Sequence, residues 1–419
     1  MEKQQRKALS LKANFSWSFL SNLIYSASQW GILSVIAKLG SPSMVGLFTL
    51  GLAVTAPVVL FAGLQLRVVL VTDARNQYSF GNYLTTRTLI NGLTILLMIL
   101  MVLFIDYDAL TRYIILIVGM YKIVELTSEL IYGYFQKNER NDIIAYSKII
   151  KGIISVISVG FLLFITKNLL ISLIGMVLSN LLVLIFYEYR IVKKEVGRTY
   201  EFNTIKIKSL VISAIPLGIV LMLSSLVTNI PRYILEREFS AKELGFFAAM
   251  TYLFMVGTTF ISALGQVVTP RLSKNFASGN KKEFIKITAI SSLFGLVIGL
   301  ISILVSFFFG REILSILYTK EYGVYSDYLT LLMVSATINY AGSLIGYSIT
   351  AAREFRIQPF LGLIWVVSTT SISLVIIPKM GLYGAVWALI LSSIVQFITK
   401  LIVFLYVINT KMKKGVNGG

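Results

Sequence analysis

The sequence contains no cysteine and no histidine. The first absence removes disulfides, and with them any inference about an oxidising or reducing compartment. The second removes the commonest metal ligand, proton shuttle and general base together. Carboxylates are scarce as well, with 19 Asp and Glu among 419 residues, so any proton or sodium coupling falls to very few groups. Charged residues make up 14% of the chain and hydrophobic ones 56%, with a mean hydropathy of +0.81. That balance excludes an ordinary soluble domain. No Gly-rich Lys-Ser/Thr loop for nucleotide phosphates occurs, which argues against intrinsic ATP use. Nor is there a long gap or low-complexity tract to hold a separate domain.

What is present is a repeated run of about 20 apolar residues, the length that crosses a bilayer core as a helix. The pattern predicts about twelve spans, at 14–37, 45–66, 84–105, 112–135, 146–165, 169–187, 210–230, 244–269, 287–309, 325–352, 360–377 and 382–408. Lys and Arg gather in every second gap. Lys3, Arg6, Lys7 and Lys12 precede the first span, and Arg67, Arg75 and Arg87 follow the second. Lys137, Arg140, Lys148 and Lys151 follow the fourth, Arg190 to Lys208 the sixth, and Arg353 and Arg356 the tenth. Lys411, Lys413 and Lys414 end the chain. These gaps hold roughly three times the Lys and Arg of the opposite gaps, which places both termini in the cytoplasm. The net charge of +19 is therefore the signature of inner loops facing anionic lipid. It forms no continuous basic face of the kind nucleic acid requires. Ser26-Ala27-Ser28 resembles a cleavage site, but the apolar stretch around it is too long for a signal peptide.

The chain also repeats itself. Lys38–Leu50 reads KLGSPSMVGLFTL and Arg237–Ala249 reads REFSAKELGFFAA. Placing Gly46 on Gly245 aligns Ser41 with Ser240, Phe48 with Phe247, Arg75 with Lys274 and Ser79 with Ser278. Both copies fall at an outer loop, an even-numbered span and a basic inner loop. Six spans per copy leave the copies in the same orientation, a transporter design with the substrate path between the halves. The expected organisation is an N-terminal tail over 1–13, a first lobe over 14–187 and a basic linker over 188–209. A second lobe over 210–408 and a C-terminal tail over 409–419 complete it. The fold class is all-α and polytopic, with two parallel-repeat six-helix lobes around a central cavity.

Leu39-Gly40, Val45-Gly46-Leu47-Phe48, Ser240-Ala241, Glu243-Leu244-Gly245-Phe246-Phe247-Ala248-Ala249 and Thr269-Pro270-Arg271-Leu272-Ser273-Lys274 resemble one family in particular. It is the polysaccharide-biosynthesis branch of the multidrug/oligosaccharidyl-lipid/polysaccharide (MOP) exporters, and the chain is similar to O-antigen (Wzx-type) flippases along nearly its whole length. The resemblance implies a non-enzymatic flippase of the bacterial inner membrane. Its substrate would be an undecaprenyl-diphosphate-linked oligosaccharide, moved from the cytoplasmic to the outer leaflet. Expected partners are that glycan lipid, the bilayer and other polysaccharide-assembly membrane proteins. No cofactor and no metal are expected, beyond coupling to H+ or Na+.

Polar stripes inside apolar helices point to an interior path, because lipid offers them nothing. Lys122, Glu125, Glu129, Tyr132 and Gln136 share one face of the fourth span. A Lys122–Glu125 pair that merely makes the helix insertable is the structural alternative. Asn22, Tyr25 and Gln29 form an uncharged stripe in the first span, Thr228 and Arg232 one in the seventh, and Asn339 and Ser343 one in the tenth. Interhelical hydrogen bonding explains any one of them equally well. Taken together they suit a carbohydrate, which uses hydroxyls, amides and aromatic faces. Glu125 and Glu129 are the candidate coupling carboxylates. A diphosphate calls for arginine forks, and Arg67, Arg232 and Arg237 are the candidates, with plain topology charge as the alternative. Pro57 and Pro216 each remove a helical hydrogen bond, as a fixed bend or as a hinge. Gly295-x-x-x-Gly299 and Gly342-x-x-x-Gly346 permit close helix packing within the second lobe.

Three other functions compete. Asp106-Tyr107-Asp108 matches a glycosyltransferase Asp-x-Asp only superficially, lacking an α/β domain around it. A polysaccharide polymerase would present a large outer loop, and none is found. A cation-coupled drug antiporter of the same superfamily shares the layout and is the serious alternative. The topology is directly testable. Reporters fused after Lys208 and after Lys414 are expected to read cytoplasmic, and one near Lys242 external. An external signal at Lys208 would overturn both the orientation and the parallel repeat.

Overall fold

The computed structural model describes residues 9–73, 76–197, 199–354 and 357–412. Lys3, Arg6, Lys7, Arg75, Arg198, Arg356, Lys413 and Lys414, counted above among the basic flanks, lie outside the described residues. The described chain is helical throughout, as bilayer burial demands of a non-barrel chain, since each helix satisfies its own backbone. In order the helices are α1 (Leu11–Leu39), α2 (Pro42–Gly63), α3 (Leu66–Thr72), α4 (Phe80–Phe104), α5 (Ala109–Lys137), α6 (Asn141–Thr166) and α7 (Leu169–Val183). A π-helical turn, Leu184–Tyr189, joins α7 to α8 (Arg190–Val196). There follow α9 (Thr204–Glu238), α10 (Ala241–Ala277), α11 (Lys281–Leu317), α12 (Lys320–Gly323), α13 (Ser326–Ala351) and α14 (Gln358–Tyr406).

Among the described residues, 9 helical stretches are long and apolar enough to cross a membrane. The long helices α1 and α5, whose polar stripes lower their hydropathy, bring in two of the expected spans. The twelfth appears because α14 is two helices merged across a kink, where Gly381 sits at φ 57° and ψ −133°. Only glycine takes that conformation cheaply, so the break between 377 and 382 is where the apolar pattern put it. The twelve-span, all-α expectation is met. Outward-facing leucines on α4 show the lipid side: Leu89, Leu93, Leu96 and Leu100 recur at helical spacing and stay exposed.

The chain divides into two compact units at Ser225/Leu226, inside α9. The expected linker at 188–209 is only partly one. Helix runs on through Val196, and Leu210 and Ala214 of α9 pack into the first unit's core with Leu64, Tyr83 and Val192. Apolar burial, not the basic composition of the segment, sets where the unit ends.

Within the first unit α1 packs along α6, α2 along α5, and α5 along α3, α4 and α7. Within the second, α13 packs along α10, α11 and α14. The repeat is visible in the caps. Ser41 and Ser240 both precede a helix in extended backbone, accepting the amides of Met44 at 3.3 Å and Glu243 at 3.2 Å. Phe48 and Phe247 are buried in both copies.

The two glycine pairs serve packing. A Cβ at Gly295 would meet the Tyr340 backbone at 3.0 Å, Gly299 abuts Thr337, and Gly342 faces Phe397. Gly299→Leu is therefore expected to force α11 from α13 and cost about 1–3 kcal/mol or more by overpacking. Gly92→Leu, at a site open within 4 Å, is expected to be neutral. Thermal unfolding of both variants in detergent checks this, and equal midpoints would refute the close packing.

A charged, tyrosine-lined candidate site in the first unit

Asp108 caps α5 by accepting the amides of Leu110 and Thr111, and ion pairs and hydrogen bonds to Arg67, Lys148 and Tyr25 show where the α5 stripe points. It faces α1, α3 and α6. Lys122 Nζ donates to Glu125 at 2.7 Å, the ion pair that the structural alternative expects. It is not the whole story, because Tyr25 of α1 also donates to Glu125 at 2.7 Å. Tyr121 lies 3.2 Å from the Tyr25 hydroxyl and accepts from Gln29 at 3.1 Å. One turn on, Glu129 pairs with Arg67 and lies 3.9 Å from Lys148 Nζ. Arg67 also donates to Gln136 at 3.0 and 2.8 Å. Lys148 Nζ donates to Asn22 at 3.1 Å.

Sequence reasoning missed the deepest part of this cluster. Lys148 and Lys151 read as inner-loop charges, and Glu188 as the start of a linker. In the structure Lys151 and Glu188 form a 2.6 Å ion pair, 5% and 1% exposed, at burial levels where unpaired charge is untenable. Tyr132 donates to the same carboxylate oxygen at 2.8 Å, and Ser147 also donates to it. Lys151 donates to Ser128. The π-helical turn Leu184–Tyr189 carries Glu188. Such turns insert a residue and re-aim side chains, often at functional sites. The turn is the signal that a straight helical reading lacks.

A cleft lies between these groups, lined by Tyr25, Glu125, Ser128, Glu129, Tyr132, Lys148, Lys151 and Asn180. The Tyr132 ring stands 5.6 Å from Lys148 Nζ, 5.9 Å from Lys151 Nζ and 5.9 Å from the Arg67 guanidinium. Cations at that range are held by the ring face as well as by carboxylates. Each of Arg67, Lys122, Lys148 and Lys151 has a carboxylate within 4 Å. The site therefore offers hydroxyls, amides, aromatic faces and compensated charge. Hydroxyls, amides and ring faces are the groups that polar neutral ligands use, and carboxylates that exchange partners can carry protons or cations.

The remaining expected residues are placed differently. Arg87, counted as an inner-loop charge, is 2% exposed and donates to the Ala62 and Gly63 carbonyls at 2.9 and 2.6 Å. It satisfies the end of α2, where Leu64 and Gln65 both sit at φ 48°. The break in the second span thus lies beyond Pro57, which stays buried inside α2. Pro216 is exposed within an unbroken α9. In the second unit Arg232 donates to Asn229 at 3.3 Å and Thr251 at 3.1 Å. Ser343 donates to Asn339 at 3.3 Å. Thr228 and Arg237 are exposed along α9.

Breaking the buried pair separates structure from function. Lys151→Met is expected to cost about 3–5 kcal/mol by stranding Glu188. Lys151→Met with Glu188→Gln should recover most of that, since Gln still accepts from Tyr132 and Ser147. Removing Lys122, whose side chain is 27% exposed, should cost less than removing Lys151, because Tyr25 still donates to Glu125. Unfolding midpoints across the double-mutant cycle give the coupling, and additivity would show that the pair contributes nothing.

The comparisons with known proteins agree on scaffold and family. A family described as polysaccharide biosynthesis protein matches residues 11–276. The capsular polysaccharide biosynthesis protein CapF of Staphylococcus aureus is 31% identical over 388 residues, covering 92% of this chain and 97% of that protein. Among solved structures, an inward-facing multidrug-resistance MATE transporter of the MOP superfamily matches with a TM-score of 0.75 at 13% identity, over 93% of this chain and 96% of that one. The lipid II flippase MurJ, in an inward closed conformation, matches at 0.72 and 15% identity, over 93% and 87%. At such identities the structures speak for the fold alone, and the fold is that of the MOP transporters. The sequence matches go further: this multi-pass membrane protein belongs to the polysaccharide biosynthesis protein family.

Proposed function

We propose that the protein is a flippase that carries an undecaprenyl-diphosphate-linked oligosaccharide from the cytoplasmic to the outer leaflet of the bacterial cell membrane by alternating access, with both termini inside. The observation that carries this reading is the first unit's cluster. A protein of polysaccharide biosynthesis holds, among apolar helices, a cleft of tyrosine, amide and paired-charge groups. Tyr25, Tyr132, Asn22 and Gln29 supply the hydroxyl, amide and ring contacts a sugar uses. The name of its CapF relative points to polysaccharide, and one relative in fold is a lipid II flippase.

The carboxylates suit coupling. Protonating Glu125 would release Lys122 and Tyr25, and protonating Glu129 would release Arg67 and Lys148. Either event changes the charge of the cleft and frees donors for the substrate. Sodium would act through the same oxygens. With no histidine in the chain, these groups are the natural carriers of a proton.

Deleting the gene should leave lipid-linked repeat units on the cytoplasmic leaflet while drug susceptibility stays unchanged. Complementation with Glu129→Gln or Glu125→Gln should lower outer-leaflet glycan by about tenfold or more, the scale of a lost charge-assisted contact, at unchanged protein abundance. Normal glycan export together with heightened drug sensitivity in the deletion would replace this reading with the antiporter.

A further inference from the structure

The first unit gives its buried cations carboxylate or carbonyl partners, and the second unit carries a partly exposed cation, Lys400, without one. Lys400 lies on the second limb of α14, inside its apolar run and about 12 Å along the helix from Ile408. Ile398 and Ile402, two residues either side, are 48% and 59% exposed and mark the opposite, outward face. Val403, Phe404 and Val407, three, four and seven residues on, are buried. Lys400 therefore turns into its own unit. Among the described residues it makes no ion pair and no hydrogen bond. Its Nζ stands 5.0 Å from the Trp365 ring, which is held by its own N–H donating to Thr399 at 2.8 Å.

The facing helix supplies the second observation. Asn339, Ser343, Gly346 and Thr350 of α13 share one face by spacing, and the stem of Lys400 runs beside Gly346, where a Cβ would lie 3.9 Å from Lys400 Cε. The glycine leaves room at the ammonium, and the polar stripe of α13 leads to it. A cation at membrane depth with only a ring face as neighbour is costly to insert, and it is complete only with an anion.

We propose that Lys400 is the anion-recognition residue of the second unit, receiving the diphosphate of an isoprenoid diphosphate lipid beside Trp365 and the polar face of α13. The biological substrate rests on the flippase reading; the anion site does not. Arg232, which likewise forms no ion pair among the described residues, is a separate cation near the other end of the unit.

The probe is farnesyl diphosphate, added to the purified full chain in nanodiscs of neutral phosphatidylcholine. With Trp17, Trp30 and Trp387 replaced by Phe, emission reports on Trp365 alone. Thermal unfolding with and without the probe, in the native tryptophan background, gives a second readout. Saturable binding is expected, at least about tenfold weaker in Lys400→Met and largely kept in Lys400→Arg, with farnesol inert. Wild-type affinity in Lys400→Met, or equal displacement by phosphatidylglycerol, overturns the proposal; the latter outcome assigns the site to a phospholipid headgroup. The cellular arm separates the two readings. If Lys400→Met loses the probe but gene deletion leaves glycan export intact, the flippase reading fails and the anion site stands. If deletion blocks export while Lys400→Met exports and binds normally, the anion site alone fails.

Discussion

Hydrocarbon solvates no charge, so an ionic group carried into a membrane-spanning helix must meet a partner there or await one. The first unit follows this rule at every buried cation described. Arg87 is spent on two backbone carbonyls, Lys151 on Glu188, and Arg67 and Lys148 on Glu129. Those pairs in turn fix which faces of α1, α3, α5 and α6 look at one another. The tyrosines fill the angles between the pairs, so that one arrangement satisfies electrostatics and packing at once. A helix rotated by one residue would strand several charges, which gives the cluster a role in specifying the bundle beyond any role in transport.

Much of this was legible in the sequence because the bilayer imposes a length and a sign. Twelve apolar runs of span length became twelve helical limbs, and even the Gly381 break was marked by the gap between two runs. Helix ends were less legible. α9, α10 and α11 extend past their apolar runs because charged residues continue a helix readily once it leaves hydrocarbon. The α5 stripe was legible because five polar residues on one face of an apolar helix have few explanations. The partners of that stripe were not. Lys148, Lys151 and Arg87 lie near span ends, where positive charge already has a topological explanation, and nothing local distinguishes a loop lysine from one folded back against a carboxylate on another helix. Glu188 needed a π turn to be aimed inward, and apolar periodicity does not encode one.

The repeat was legible only over its first part. Ser41 and Ser240 cap equivalent helices, and the buried phenylalanines that follow match. Further on, the alignment of Ser79 with Ser278 fails. Ser79 begins α4, whereas Ser278 closes α10 and Asn280 begins α11. The cause is physical. The first copy breaks at Leu64–Gln65 and starts a short helix carrying Arg67, while α10 runs unbroken through Pro270.

That difference accounts for the unequal electrostatics of the copies. Breaking the second span swings Arg67 onto Glu129 and leaves two carbonyls for Arg87, so the first copy acquires a closed set of charges. The second copy keeps an unbroken α10, and its fourth span carries Asn339 and Ser343 where the first has a charged stripe. Among the described residues no carboxylate pairs with Lys400, and the cation stays available. The two units, under one membrane constraint, thus reach different solutions: the first pairs its buried charges internally, and the second leaves Lys400 without an ionic partner among the described residues.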